Sequence, residues 1–302
     1  MLASIITFDE PLAHHTTFGI GGPAGCMVYP YNRDELSTLL KYAHKEDIPT
    51  LFIGSGSNIL VWDKGFDGFV ISLRKTFKAL AITDDYRIIS ESGVMLGTLV
   101  KEATRARICG LESLIGVPGT LGGALIMNAG AFGSEISNYF EEATTMNLDG
   151  TIKTYRKNDI NFSYRHSTFP EDEMLIEATF NCQKGFPEKI QENRQKISLE
   201  RRLTQPLRYR SAGSIFKNPS HIQSAGYLID QAGLKGTQRG GACISEKHAN
   251  FIVNLGKATA SDVFHLIRLA KQKVDEEFNI KLELEVKLLG FPESMTNEIY
   301  YA

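Results

Sequence analysis

The sequence predicts an α+β chain folded as two or three domains, and three observations carry that expectation. Its 302 residues exceed one ordinary domain of roughly 150 residues. Short β-branched and alternating runs recur between Gly- and Asp-rich turns, and the Asp149-Gly150 pair between two of them is a direct hairpin signal. Helical 3.6-residue patterns occupy 34–44, 95–107, 187–203 and the segment after Thr259.

Composition narrows the class. With 42% hydrophobic residues, 23% charged residues and a net charge of −2, the chain has no global field to recruit nucleic acid or a membrane surface. Cys26, Cys109, Cys182 and Cys243 are scattered, with no C-x-x-C pair. That argues against a zinc site and a disulfide framework and fits a reducing compartment. The start, MLASIITF, lacks a basic region and a long apolar core, so no signal peptide is expected. No apolar run reaches the ~18 residues of a membrane-spanning helix. A soluble, cytoplasmic protein is expected, and a monomer.

Taken in order, residues 14–23 (HHTTFGIGGP) read as a loop and 26–29 as a strand. Asn32 caps a helix over 34–44, with Leu36, Leu39, Leu40 and Ala43 on one face. A second strand at 50–53 makes 26–53 look like a βαβ unit. The Gly-rich loop 54–58 (GSGSN) follows it. This loop resembles the opening of a dinucleotide fingerprint, but Ile59 stands where the third Gly belongs, and 59–73 reads as extended. A strand–loop–strand cannot supply the helix N-terminus on which the Rossmann site depends, so that fold is excluded. Two strands follow within 79–91, then an amphipathic helix at 95–107, a hairpin at 142–155, a strand at 174–180 and a helix from Pro187. The last third gives a short helix at 225–231 and a strand at 250–254. A helix capped by Thr259 or Ser261 and an alternating strand at 280–288 close the chain.

Two segments stand out chemically. Residues 110–133 carry seven glycines among apolar residues, which is buried backbone with bare N–H groups and not a flexible linker. Successive amides of that kind form a concave anion site, and Pro118-Gly119-Thr120 opens a short helix beside it. A tight structural loop is the competing reading. With loop 54–58 this makes two cradles, enough for one diphosphate. No Walker lysine follows either, so nucleotide hydrolysis is not expected. From 194 to 217, Arg194, Lys196, Arg201, Arg202, Arg208, Arg210 and Lys217 face one acid, Glu200. Such a concentration suits a multiply charged anion, or merely a solvated helix face. His14, His15 and His166 lack metal-ligand spacing. Ser214, flanked by Gly213 and followed by Lys217 and Asn218, has a hydroxyl that donates a proton beside a bound anion or simply closes a turn.

In one order the chain carries GSGSNIL (54–60), GVPGTLGGALIMNAGAFG (116–133), YRHSTF (164–169), AGSIFKNP (212–219), AGYLIDQAGLKG (225–236) and LELEVKLLG (282–290). Over nearly its whole length it thereby resembles the UDP-N-acetylenolpyruvoylglucosamine reductase (MurB) family. The resemblance implies an FAD-binding domain of the vanillyl-alcohol-oxidase/PCMH type in two α+β subdomains, expected at 1–73 and 74–200. It also implies a C-terminal α/β domain for the UDP-sugar, expected at 201–302. The implied reaction is NADPH-dependent reduction of UDP-N-acetylglucosamine enolpyruvate in peptidoglycan precursor synthesis, on non-covalent FAD. Catalytic roles fall on Ser214 as proton donor, Arg165 on the substrate carboxylate and Glu285 as its acidic partner. FAD contacts fall on Gly54, Ser55, Gly56, Ser57, Asn58, Gly116, Pro118, Gly119, Thr120, Gly122, Gly123, Asn128, Ala129 and Gly130. Substrate contacts fall on Tyr164, Arg210, Lys217, Asn218 and His248, with Arg208 a further candidate for the diphosphate. Only about five residues separate Pro219 from Ala225, which resembles the family branch without a long insertion there. The alternatives are a vanillyl-alcohol-type FAD oxidase, although loop 54–58 has no histidine to attach flavin, and a non-catalytic nucleotide-sugar binding protein.

Overall fold

The computed structural model describes residues 4–220 and 222–301. The expected domain limits at residues 1 and 302, the first residues of the start tested for a signal peptide, and His221 in the short connection lie outside them. The chain forms two compact units. One comprises residues 1–8, 26–55 and 68–201; the other comprises 9–25, 56–67 and 202–302. The mixture of short strands and separate helices is the α+β class expected.

The first unit is built on a five-stranded antiparallel sheet ordered Ile152–Arg156, Phe140–Asn147, Glu173–Asn181, Arg87–Glu91, Leu80–Ile82. The Asp149-Gly150 hairpin forms as predicted. Met146 pairs with Ile152, Gly150 takes φ +79, and the Thr151 amide donates to Asn147 Oδ1 and Asp149 Oδ1, both at 2.8 Å. Helix Leu96–Arg105 buries Leu96, Leu99, Val100 and Ala103 in a core with Leu121, Leu125, Phe140 and Phe180. A second cluster joins Cys26, Val28 and Ile71 to Leu36, Leu39 and Leu40 of helix Arg33–Lys45. That helix starts where Asn32 accepts from the Glu35 amide at 2.9 Å, the expected cap.

The βαβ expectation over 26–53 needs correction. Strands Pro23–Tyr29 and Thr50–Phe52 share a four-stranded sheet but are not neighbours, because Phe66–Ile71 lies between them. Thr50–Phe52 pairs parallel with that strand, Leu51 opposite Val70. The extended stretch after loop 54–58 supplies this central strand, and its Val70 and Ile71 are fully buried.

The second unit packs Phe18, Ile20 and Leu60 with Ile215, Phe216, Leu228, Ile229, Val263, Ile267, Leu282 and Val286. Helix Ala260–Phe278 begins in a capping box between Thr259 and Asp262 and ends at Asn279 in the left-handed region. Ser261 lies inside the helix and is not its cap, and its hydroxyl donates to Asp63, 2.9 Å away. The 280–288 strand is also only partly realised. Leu282, Leu284 and Val286 are buried and Lys281 and Glu283 exposed, as alternation requires. Ladder pairing is confined to Lys287–Leu289, parallel to Ile59–Val61, and an isolated bridge joins Leu284 to Phe216. The partner of residues 283–285 is the short run 215–217, which Pro219, lacking an N–H, cannot extend. Among the described residues no helix is long and apolar enough to cross a membrane.

Candidate active site

In the first unit two glycine-bearing segments meet. Gly54 lies against Thr120, and a Cβ on it would overlap the Thr120 hydroxyl, so only glycine allows this approach. The second segment is pinned from behind. Leu96 N donates to Gly119 O at 2.9 Å, Leu121 N to Val94 O at 2.8 Å and Gly122 N to Ser92 O at 3.0 Å. Helix Leu121–Ile126 starts at Thr120. Among the described residues the amides of Ser55, Gly119 and Thr120 form no hydrogen bond, and Ser55 Oγ is buried without a partner. Buried polar groups are nearly always satisfied, so this cluster is shaped for acceptors supplied from outside the chain.

A cation lies at the start of the second segment. Gly116, at φ +74, faces Arg201 on the last turn of helix Pro187–Thr204, and a Cβ on it would lie 3.1 Å from Arg201 Nε. Burial pulls the Arg201 guanidinium below the usual arginine range. Among the described residues it forms no hydrogen bond or ion pair. Unpaired N–H groups, an orphaned hydroxyl, missing side chains and a half-buried guanidinium fit the diphosphate of a dinucleotide.

Not every expected contact faces this cradle. Loop 54–58 divides, with Gly54 and Ser55 in the first unit and Gly56, Ser57 and Asn58 in the second. Asn128 is fully buried, and its carboxamide is spent on Glu135 at 2.8 Å and Ser163 O at 3.0 Å. Its main-chain amide donates to Leu125 O at 3.0 Å and that of Ala129 to Ala124 O at 2.7 Å, closing helix Leu121–Ile126, while Gly130 pairs with Glu135. Through its carboxamide Asn128 braces a hairpin, Phe162–Ser163 with His166–Ser167, whose two-residue tip is Tyr164-Arg165. Arg165 sits at φ +57, a left-handed conformation that a non-glycine residue adopts only when its surroundings enforce it. Its guanidinium lies 5.0 Å from the centre of the Tyr164 ring.

The second unit brings the other candidates together. Ser214 precedes the run 215–217, which hydrogen-bonds on one edge to the segment carrying Glu285. Glu285 N donates to Ile215 O at 2.9 Å and Lys217 N to Glu283 O at 2.8 Å. Asn58 Nδ2 donates to Glu285 O at 2.9 Å, so this residue of the glycine loop supports the Glu285 segment. Lys217 Nζ pairs with Glu283 at 2.5 Å, and the Asn218 side-chain oxygen accepts from Ala225 N at 3.1 Å, at the start of helix Ala225–Gln231. His248 packs against Phe251 and Gly226, and burial holds its pKa below the usual histidine value. Arg210 lies over Gly19, while its carbonyl accepts from Asn254 N at 2.9 Å. Arg208 is exposed. The basic segment is divided: its residues up to Arg201 belong to the first unit and those from Arg202 onward to the second.

Sequence reasoning passed over Asn250. It is 3% exposed, and its side chain bonds to both main-chain groups of Phe216. The one signal for it was a polar residue opening an otherwise apolar strand. Arg201 was visible only as one of seven cations, with nothing to single it out.

The family model described as UDP-N-acetylenolpyruvoylglucosamine reductase, C-terminal domain, matches residues 205–289, and the FAD binding domain model matches 24–156. The reductase of Caldicellulosiruptor saccharolyticus is 45% identical over 287 residues, 93% of this chain and 91% of that one. The reductase of Carboxydothermus hydrogenoformans is 40% identical over 290 residues, covering 96% and 95% of the two chains. The crystal structure of the Thermus caldophilus reductase superposes with a TM-score of 0.79 at 35% identity, over 96% of this chain and all of that one. The resemblance drawn from the motifs is thus borne out along nearly the whole sequence: the chain belongs to the UDP-N-acetylenolpyruvoylglucosamine reductase family.

Proposed function

We propose that this chain reduces the enolpyruvyl ether of UDP-N-acetylglucosamine enolpyruvate to the lactyl ether of UDP-N-acetylmuramate, with Ser214 as proton donor and Arg165 and Glu285 at the substrate carboxylate. FAD is its cofactor and NADPH the reductant. The observation that carries the assignment of residues is the hydrogen-bonded register of the Ser214 and Glu285 segments in the second unit. When bound, the flavin supplies the hydride, taken from NADPH, that adds to the methylene carbon. Negative charge then develops on the carbon α to the carboxylate. Arg165, held out on its strained hairpin tip, stabilises that charge, and Glu285 orients the acidic groups. Ser214 delivers the proton to the α carbon, which completes the reduction and fixes the stereocentre.

The diphosphate of the cofactor is assigned to the amides of residues 54–55 and 119–120, with Arg201 supplying charge. Substrate contacts are assigned to Tyr164, Arg210, Lys217, Asn218 and His248. Division of labour follows residues 1–73 and 74–200 for flavin, with Arg201 at their border contributing to it, and the remainder of 201–302 for the sugar nucleotide, in a cytoplasmic monomer.

The test begins with colour. The purified protein is expected to be yellow, and acid precipitation is expected to release intact FAD, because loop 54–58 contains no attaching histidine. Under anaerobic conditions NADPH bleaches it and the enolpyruvyl sugar restores the colour. Rapid recolouring by oxygen without the sugar would favour an oxidase. No bleaching with NADPH would leave only a binding protein.

A further inference from the structure

Ser214 itself forms no hydrogen bond among the described residues, and Gly213 before it, at φ +77, has no neighbour within 4 Å of where a Cβ would sit. Its position is set by its chain neighbours: before it Ala212 is buried and Ser211 O accepts from Thr17 Oγ1 at 2.7 Å, and after it come Ile215 and Phe216. These are held on both edges. On one edge lie the main-chain bonds to residues 283–286 described above. On the other edge, among the described residues, no ladder strand pairs with 215–216; Asn250, two residues before strand Ile252–Asn254, takes that place. Its carbonyl accepts from Ile215 N at 2.9 Å, its Oδ1 accepts from Phe216 N at 2.9 Å, and its Nδ2 donates to Phe216 O at 2.8 Å. A carboxamide presents its oxygen and an N–H in one plane, as a peptide unit does, so the side chain stands in for a strand partner. The amide of Asn250 is in turn fixed by His248 Nδ1 at 3.3 Å.

We infer that Asn250 is a positioning residue for the proton donor: it fixes the Ser214 hydroxyl in register with the Glu285 segment by acting as a one-residue strand on the far edge of 215–216. The inference rests on the reading of Ser214 as the donor. A displacement of about 1 Å from productive geometry is enough to slow a proton transfer on the order of 100-fold, so the effect of losing this clamp falls on one chemical step.

Asn250→Asp keeps an acceptor for Phe216 N but turns a carboxylate towards Phe216 O. Asn250→Ser, which removes both side-chain bonds without adding charge, is the second variant should the first not fold. In FAD-replete protein, flavin reduction by NADPH is expected to keep its rate within about twofold, and reoxidation by the enolpyruvyl sugar to slow roughly 10- to 100-fold. The dissociation constant of the sugar, read from perturbation of the oxidised flavin spectrum, is expected to move less than about threefold. Combined with Ser214→Ala, the Asn250 substitution is expected to add nothing further, since it acts only through that hydroxyl. If Ser214→Ala slows reoxidation but the Asn250 variants do not, or if the two losses multiply, the positioning role is overturned while the donor assignment stands. If Ser214→Ala alone leaves reoxidation unchanged, it is the donor assignment that fails.

Discussion

The cofactor cradle of the first unit is built mainly of main-chain amides, whereas the surroundings of Ser214 in the second are set by side chains, and the two are held in different ways. Around Gly54, Gly119 and Thr120 the geometry comes from the absence of side chains and from bonds behind the segment, to residues 92–96. Around Ser214 it comes from partners far along the chain, Asn250, residues 283–286 and Asn58. An amide cradle is damaged by adding atoms, and a positioned side chain by removing them. That difference decides where each substitution should be felt.

Ser214→Ala is expected to have the largest effect. Folding and FAD content should survive, since the glycine turn remains. Flavin reduction by NADPH should stay near its normal rate, while reoxidation by the enolpyruvyl sugar should slow roughly 10²–10⁴-fold, the usual contribution of a positioned general acid. Ser214→Cys should recover part of the loss, because a thiol can also donate a proton. Rapid-mixing absorbance separates the two halves, and equal slowing of both would show that the hydroxyl only closes a turn.

Neutralising a cation of the second unit comes next. Arg208→Gln, Arg210→Gln or Lys217→Met should weaken sugar-nucleotide binding by about 1.5–3 kcal/mol where the side chain meets a phosphate. Lys217 is already paired with Glu283, so its loss should also free that carboxylate. Titration calorimetry with unaltered affinity in all three variants would reduce the segment to a solvated face.

The cradle is tested from the opposite direction. Gly54→Ala places a methyl on the Thr120 hydroxyl and should weaken FAD retention by about 1–3 kcal/mol, the usual cost of overpacking, with no change in the sugar-binding unit. Thr120→Ala in the same chain should relieve part of that cost. Retention of flavin on dilution and gel filtration reads the effect, and full occupancy in the single variant would mean the loops are not fixed against each other.

The smallest effect concerns pH. Burial lowers the His248 pKa, so the native state favours the neutral imidazole. The stability it contributes is present above the unfolded histidine value of about 6.5 and is lost as pH falls through the lower folded value. His248→Gln should flatten the decline of Tm between pH 8 and pH 5.5, by no more than about 2–4 °C. Parallel Tm profiles would place the ring in contact with water.

Local signals in the sequence were sufficient for a definite part of this molecule. The Asn32 cap, the Asp149-Gly150 turn, helix Ala225–Gln231 and the buried faces of the helices were legible because capping, turn chemistry and periodicity act over a few residues. The glycine loops were legible for a similar reason: a position that tolerates no Cβ is written directly as Gly. The motif order was specific enough to indicate the family, which the comparisons then established. Tertiary structure alone decided the rest. It inserted Phe66–Ile71 between the two strands of the expected βαβ unit and reduced the 280–288 strand to Lys287–Leu289. It divided one basic run between two units and drew residues 9–25 and 56–67 to the C-terminal third. It also set a single asparagine, Asn250, against the short run that follows Ser214. Each of these depends on hydrogen bonds or packing between residues tens to hundreds of positions apart, and no local preference encodes such a pairing.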